Sequence, residues 1–79
     1  MENIDKKLLE KIGLQLREER KKQKITFRGL SAMSSVDVKH IQKIEKGETV
    51  FSIVSLFKIC AALKIAPSKI VEVDNPYDY

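Results

Sequence analysis

A start signal for an α-helix recurs five times in this 79-residue chain. Each signal has an apolar residue, then a capping residue, then a second apolar residue four positions after the cap. The two apolar side chains can pack together while the cap accepts hydrogen bonds from free backbone N–H groups. Three signals are strong and two are weaker: Ile25-Thr26 with Leu30, Val36-Asp37 with Ile41, Phe51-Ser52 with Leu56, then Ile4-Asp5 with Leu9 and Ile65-Ala66 with Ile70. Five starts predict five helices, the last with Pro67 at its favoured first position.

Helices are predicted over residues 5–23, 26–33, 37–46, 52–63 and 67–72. Residues at helical spacing predict the inner face of each helix. These are Leu8, Ile12 and Leu16 in the first, Leu30 and Met33 in the second, Ile41, Ile44 and Glu45 in the third, and Ile53, Leu56, Ile59, Cys60 and Leu63 in the fourth. Three residues join the two short helices that follow the first, which predicts a helix-turn-helix core in an all-α protein.

The distribution of charge favours a polyanionic partner. Residues 1–69 hold fifteen Lys and Arg against eight acidic residues, a net charge of +7, whereas the last ten residues carry −3. We therefore predict one small domain over residues 1–73 and a flexible acidic tail over 74–79. A positive folded body favours nucleic acid as the partner ahead of an anionic membrane.

Composition also argues against several classes of protein. One cysteine, Cys60, cannot form an internal disulfide, and with His40 alone it cannot build a zinc site. We expect Cys60 to be a small core residue, and His40 to be packed rather than to sense pH. The sequence shows no nucleophile with a base, glycine loop or carboxylate pair, so no enzyme, metal or cofactor is expected. The longest apolar run, 59–63, is too short for a membrane span, and the chain starts without a signal peptide, which predicts a cytoplasmic protein.

Residues 16–70 resemble the phage repressor/Cro-type helix-turn-helix family, also called the XRE family. The family pattern falls, without insertion or deletion, on Arg20, Ile25-Thr26, Leu30, Val36, Ile41, Ile44-Glu45, Gly47, Ser52-Ile53 and Leu56. The resemblance implies a compact five-helix bundle of the lambda-repressor-like type, with the helix-turn-helix formed by helices 2 and 3. It also implies an ion pair between Arg20 and Glu45 that ties helix 1 to helix 3.

The chain departs from the family pattern at several positions. A glutamine that usually contacts the DNA backbone is replaced by Phe27, and a proline before the fourth helix by Phe51. Three positions that are usually glycine hold Lys24, Ser35 and Lys64. If these three keep a left-handed backbone, each costs about 1 kcal/mol relative to glycine.

The third predicted helix carries polar side chains on the face opposite to Ile41, Ile44 and Glu45. By resemblance, the base-reading positions of the family fall on Val38, Lys39, Gln42 and Lys43. Lysine can donate to guanine, glutamine can pair with adenine, and valine can contact a thymine methyl. The predicted phosphate contacts, at the starts of helices 2 and 4, are Thr26, Arg28, Lys46, Thr49 and Ser52. The alternative is a merely solvated helix face.

A second apolar stripe on the fourth helix, Val54, Phe57 and Ala61, suggests a homodimer interface. Helix 5 or the tail could cover this stripe instead, and residues 71–73 could add a strand to a partner. The sequence thus predicts a sequence-specific double-stranded DNA-binding protein, a small transcriptional regulator that acts as a repressor. The alternative is an antitoxin-type protein-interaction module that binds its partner through the C-terminal tail, with Tyr77 and Tyr79.

Overall fold

The computed structural model describes residues 3–71, which form five α-helices. They are α1 (Asn3–Lys22), α2 (Phe27–Ser34), α3 (Val38–Lys46), α4 (Ile53–Leu63) and α5 (Pro67–Ile70). Within these residues there is no β-strand, so the predicted all-α, five-helix class is confirmed. The predicted acidic tail over 74–79, its two tyrosines and all but the first residue of the predicted partner strand lie outside the described residues.

The predicted caps start three of the helices. Thr26 Oγ1 accepts from the Gly29 backbone N–H at 3.0 Å, and Asp37 Oδ2 accepts from the Lys39 N–H at 3.1 Å. Ser52 Oγ accepts in the same way from the N–H of Ser55, at 3.0 Å. The α5 helix starts after Ala66, with Pro67 in its first turn and no side-chain cap.

The first and last predicted helices have different bounds in the structure. Helix α1 begins at Asn3, so Asp5 is not a cap but lies inside the first turn, where its negative charge favours the helix dipole. Helix α5 ends at Ile70, two residues before the predicted end.

Left-handed backbone ends three of the helical segments without glycine. Lys24, Ser35 and Lys64 have φ angles of 58°, 63° and 58°. At all three ends the backbone N–H groups still find carbonyl partners: Lys24 N–H donates to Lys21 O at 2.9 Å, Ser35 N–H to Ser31 O at 2.8 Å, and Lys64 N–H to Ala61 O at 3.1 Å. All three positions thus keep the left-handed conformation, which a Cβ makes unfavourable by about 1 kcal/mol at each.

The core lies where α1 packs on α3 and α2 packs on α4. Its buried members are Ile12, Leu16, Leu30, Val36, Ile41, Ile44, Leu56, Ile59, Cys60, Ala62, Leu63 and Ile70. Cys60 is thus a core residue as expected, and burial raises the pKa of its thiol because the thiolate would lose its solvation.

Two residues predicted to point inward are exposed. Met33 is 53% exposed, because α2 buries Ser34 one turn after Leu30 instead, and the Ser34 hydroxyl accepts from the Val36 N–H at 3.2 Å. Ile53 is 68% exposed at the very start of α4, where Phe51, just before the helix, packs against the core. Both predictions were wrong, and in each case a residue next to the predicted one lies on the buried side instead: Ser34 is buried and Phe51 packs against the core.

Two glycines allow α3 to approach α1 closely. A Cβ at Gly13, in the middle of α1, would meet the carbonyl oxygen of Ile44 and would lie 2.7 Å from that of Glu45. Gly47 ends α3 with a φ of +71°, and a Cβ there would lie 2.6 Å from Cγ of Glu10. No role for Gly13 was predicted from the sequence, although an isolated glycine inside a helix often marks a close approach.

The C-terminal part of the fold is also fastened to α1. Gln23 Nε2 donates to the carbonyl of Leu63 at 2.7 Å, and Lys69 forms an ion pair with Glu19 at 3.2 Å. Helix α1 thus contacts α3 and α5, and Gln23, the residue after its end, contacts the end of α4. No described helix is both long and apolar enough to span a membrane.

Candidate nucleic-acid interface

Helix α3 has one buried face and one open face. Ile41 and Ile44 are each 1% exposed and Glu45 is buried beside them, as predicted from their spacing. On the other side, Lys39 and Lys43 are exposed and Val38 and Gln42 are half-buried. We call these four residues the reading face. Nothing within residues 3–71 packs over its lysines, so it is available to a ligand.

A buried ion pair holds α3 against α1. Arg20 Nε donates to Glu45 Oε2 at 2.8 Å and Arg20 Nη2 donates to Glu45 Oε1 at 3.0 Å, with the side chains 8% and 4% exposed. Two parallel hydrogen bonds of this kind fix the relative orientation of the two groups. The ion pair therefore sets the pose of α3 as well as its distance from α1.

The same guanidinium also contacts the start of α2. Arg20 Nη1 donates to the carbonyl of Ile25 at 2.9 Å, and its Cζ lies 3.9 Å from the ring centroid of Phe27. A guanidinium over an aromatic face is stabilised by the ring quadrupole. From the sequence, Phe27 was interpreted only as the replacement of a glutamine, and this contact shows that it has a structural role. An aromatic residue directly after the cap was the available signal.

The predicted phosphate contacts form two groups. Thr26 and Arg28 are exposed at the start of α2, and Thr26 uses its oxygen as an acceptor for the helix cap. Thr49 and Ser52 lie between α3 and α4, where Thr49 Oγ1 donates to Val50 O at 3.1 Å and Ser52 Oγ lies 3.2 Å from Ser55 Oγ. Lys46 is exposed at the end of α3, between the two groups. All five therefore lie at the ends of α2, α3 and α4 or in the connection between α3 and α4.

The predicted dimer residues form an open apolar surface on α4. Val54, Phe57 and Ala61 are exposed, and with Ile53 and Lys58 they line a shallow hollow of about 560 Å³. We call Ile53, Val54, Phe57 and Ala61 the α4 patch. Helix α5 does not cover this patch, so one of the two alternatives to a dimer given in the sequence analysis is excluded. The other, the tail, lies outside the described residues.

His40 is half-buried on α3, at the edge between its two faces. Within residues 3–71, no three His, Cys, Asp or Glu side chains cluster in a way that could hold a metal ion.

A family model described as helix-turn-helix matches residues 16–70. Since this span is more than half of the chain, the protein belongs to this helix-turn-helix family, of the XRE type that the motif in the same residues indicated. The predicted class, a DNA-binding regulator, is confirmed with it, and the antitoxin-type alternative is not favoured.

Two solved structures are similar to this chain, each with a TM-score of 0.76. The restriction-modification controller protein C.AhdI from Aeromonas hydrophila is 31% identical, over 78% of this chain and 94% of that chain. The clp gene regulator ClgR from C. glutamicum is 28% identical, over 81% of this chain and 83% of that chain. No curated protein sequence matches this chain.

Proposed function

We propose that this protein is a cytoplasmic transcriptional repressor that inserts α3 into the major groove of double-stranded DNA. The observation that carries the proposal is the asymmetry of α3. Its inner face is clamped by Arg20 through Glu45, while the lysines on its outer face are uncovered. A rigid helix with outward donors is what reading base edges in the groove requires.

The reading face supplies donors for base edges and one apolar contact. Lys39 and Lys43 can donate to guanine O6 and N7, and Gln42 can make two hydrogen bonds with adenine. Val38, half-buried in the first turn of α3, can contact a thymine methyl group. These four side chains are proposed to carry the sequence preference.

The proposed phosphate contacts come before and after the reading face along the chain. Thr26 and Arg28 stand at the start of α2, where the partial positive charge of a helix N-terminus attracts anions. Lys46, Thr49 and Ser52 would contact the backbone on the other side of α3, after the two hydroxyl groups rotate away from their partners within the chain. Such contacts hold the protein in register and carry no sequence information.

We further propose that a second copy of the chain covers the α4 patch. Phe57 is 53% exposed and Val54 58%, and Lys58 is the one charged side chain that lines the hollow between them. A two-fold axis brings the same surface of both copies together, so an apolar patch meets an equally apolar patch. Such a dimer would read two half-sites about one helical turn apart, roughly 10 bp.

Selection of binding sites from random duplex DNA with the purified full chain tests the proposal. The expected result is enrichment of an inverted repeat whose half-sites are about 10 bp apart, centre to centre. Enrichment of a single half-site would contradict the dimer and leave the α3 assignment standing. Recovery of no preferred sequence would contradict sequence-specific binding itself.

A further inference from the structure

A second hollow, of about 310 Å³, opens beside the reading face. It lies between the C-terminal part of α1, the start of α2 and the outer edge of α3, and it is lined by Arg17, Arg20, Lys21, Phe27, Gln42, Glu45 and Lys46. We call it the α1–α3 hollow. Because Gln42 belongs both to its wall and to the reading face, a DNA strand over the reading face would pass this hollow.

The charge in the hollow is positive and largely unpaired. Glu45 is the one acid that lines it, and both of its carboxylate oxygens accept hydrogen bonds from Arg20. The other three cations, Arg17, Lys21 and Lys46, are exposed and form no ion pair with any residue of the described range 3–71. Three uncompensated cations around a concave surface attract an anion.

Phe27 limits which side chains can donate hydrogen bonds to such an anion. It stands where the resembling family has a glutamine that contacts the DNA backbone, and its ring offers a phosphate no hydrogen-bond donor. The face of the ring is also occupied by Arg20, at 3.9 Å. The side-chain donors that line this hollow come from α1 and α3, and the cations among them that are not paired with Glu45 are Arg17, Lys21 and Lys46.

We infer that Arg17 and Lys21 bind a phosphate of the DNA backbone at the α1–α3 hollow, together with Lys46. Arg17 and Lys21 are four positions apart, so they lie on the same side of α1 and can converge on one phosphate. The inference rests on the proposed DNA binding and adds α1 to the contact surface. It gives a phosphate at this hollow donors other than Phe27, whose ring has none.

The test compares the double variant Arg17→Ala/Lys21→Ala with the wild-type chain, on the selected duplex and on an unrelated duplex, over a range of salt concentrations. We expect the slope of log K against log salt to become shallower by about one unit for each phosphate that the variant no longer binds. Affinity should fall by a similar factor on both duplexes, because phosphate contacts carry no sequence information. The exchange Arg17→Lys/Lys21→Arg keeps both charges and should retain most of the slope.

The matched control is Lys7→Ala/Lys11→Ala, which removes two exposed lysines, again four positions apart on α1, that lie next to Leu14 at a different hollow. An equal reduction of the slope in the control would show a general charge effect and overturn the inference. Unchanged binding by the Arg17/Lys21 variant, beside normal salt-dependent binding by the wild type, would also overturn it while leaving the proposed function intact. A wild-type chain that binds neither duplex would contradict the proposed function itself.

Discussion

Arg20 and Glu45, 25 positions apart in the chain, form a two-pronged hydrogen-bonded ion pair beneath the helix that we propose reads DNA. The remaining prong of the guanidinium binds the Ile25 carbonyl, and its face lies on Phe27. A single side chain of α1 thus contacts α3, the α1–α2 connection and α2. The orientation of α2 and α3, which form the helix-turn-helix pair, is therefore set by a residue of α1.

Loss of charge at Glu45 should destabilise the fold strongly. In Glu45→Gln, the Arg20 guanidinium stays buried without a counter-charge, and breaking one partner of a buried pair costs about 3–5 kcal/mol. Urea unfolding followed by circular dichroism measures this change. The control is Glu19→Gln, which removes the ion pair to the exposed Lys69 and should cost less than about 1 kcal/mol. Equal losses of unfolding free energy in the two variants would show that the buried Arg20–Glu45 pair stabilises the fold no more than the exposed pair does.

A methyl group at Gly13 should separate α1 from α3. Alanine is favoured over glycine inside a helix by about 1 kcal/mol, yet we expect Gly13→Ala to destabilise because its Cβ would meet the Ile44 and Glu45 carbonyls. Overpacking of this kind typically costs about 1–3 kcal/mol or more, enough to outweigh the gain in propensity.

Gly29→Ala is the matched control for this change. Gly29 also lies within a helix, but outside that helix's own backbone a Cβ there would meet only side-chain atoms, Thr26 Oγ1 at 3.2 Å and Ile25 Cγ2 at 3.4 Å. We expect its free energy of unfolding to change by less than about 1 kcal/mol. A Gly13→Ala protein as stable as Gly29→Ala would contradict the close approach of α1 and α3.

Glycine at the left-handed position 64 should stabilise the protein. Lys64 has a φ of 58° and an exposed side chain, so Lys64→Gly removes the steric cost of its Cβ and should gain about 1 kcal/mol. Lys11→Gly, an exposed position in the interior of α1, should lose about the same amount. Thermal unfolding of both variants checks the opposite signs, and a loss at position 64 would contradict the backbone conformation there.

A charge on the α4 patch should give monomers. We expect Phe57→Glu to sediment as a monomer with wild-type helix content, because two buried carboxylates would face each other across the proposed two-fold axis. Met33→Glu changes a side chain with the same exposed fraction, 53%, outside the α4 patch, and it should leave the dimer intact. A wild-type chain that is already monomeric at micromolar concentration would contradict the proposed interface.

Substitution of Lys39 tests whether this side chain contacts a base or only attracts the DNA by its charge. If it contacts a base, Lys39→Ala should lose about 1–3 kcal/mol on the selected duplex and much less on an unrelated one. Lys46→Ala, at a proposed phosphate contact, should weaken both by a similar factor. Titrations of both variants on both duplexes measure the difference. An equal loss on all sequences would make Lys39 a phosphate contact.

The sequence predicted the helices and caps well because these depend on neighbours in the chain. Thr26, Asp37 and Ser52 act locally, and the inward position of Glu45 follows from the spacing of Ile41 and Ile44. Met33 and Ile53 were predicted to point inward and are exposed, whereas Ser34 is buried and Phe51 packs against the core; which of two adjacent residues faces the core depends on how the helices pack. To predict the roles of Gly13 and Phe27, one would need to know how α1 crosses α3 and where Arg20 lies. Such information lies in tertiary contacts.

The contacts of Arg20 limit how well the helix-turn-helix motif can be transferred to another protein. Residues 26–47, grafted onto an unrelated scaffold, would bring along every outward side chain of α3. The graft would lack Arg20, which binds Glu45. It would also lack α1, whose Gly13 leaves room for the backbone of α3. If α3 reads DNA as proposed, specificity grafted in this way should be degraded even with an identical set of outward side chains, because the contacts that orient α3 come from the first third of the chain.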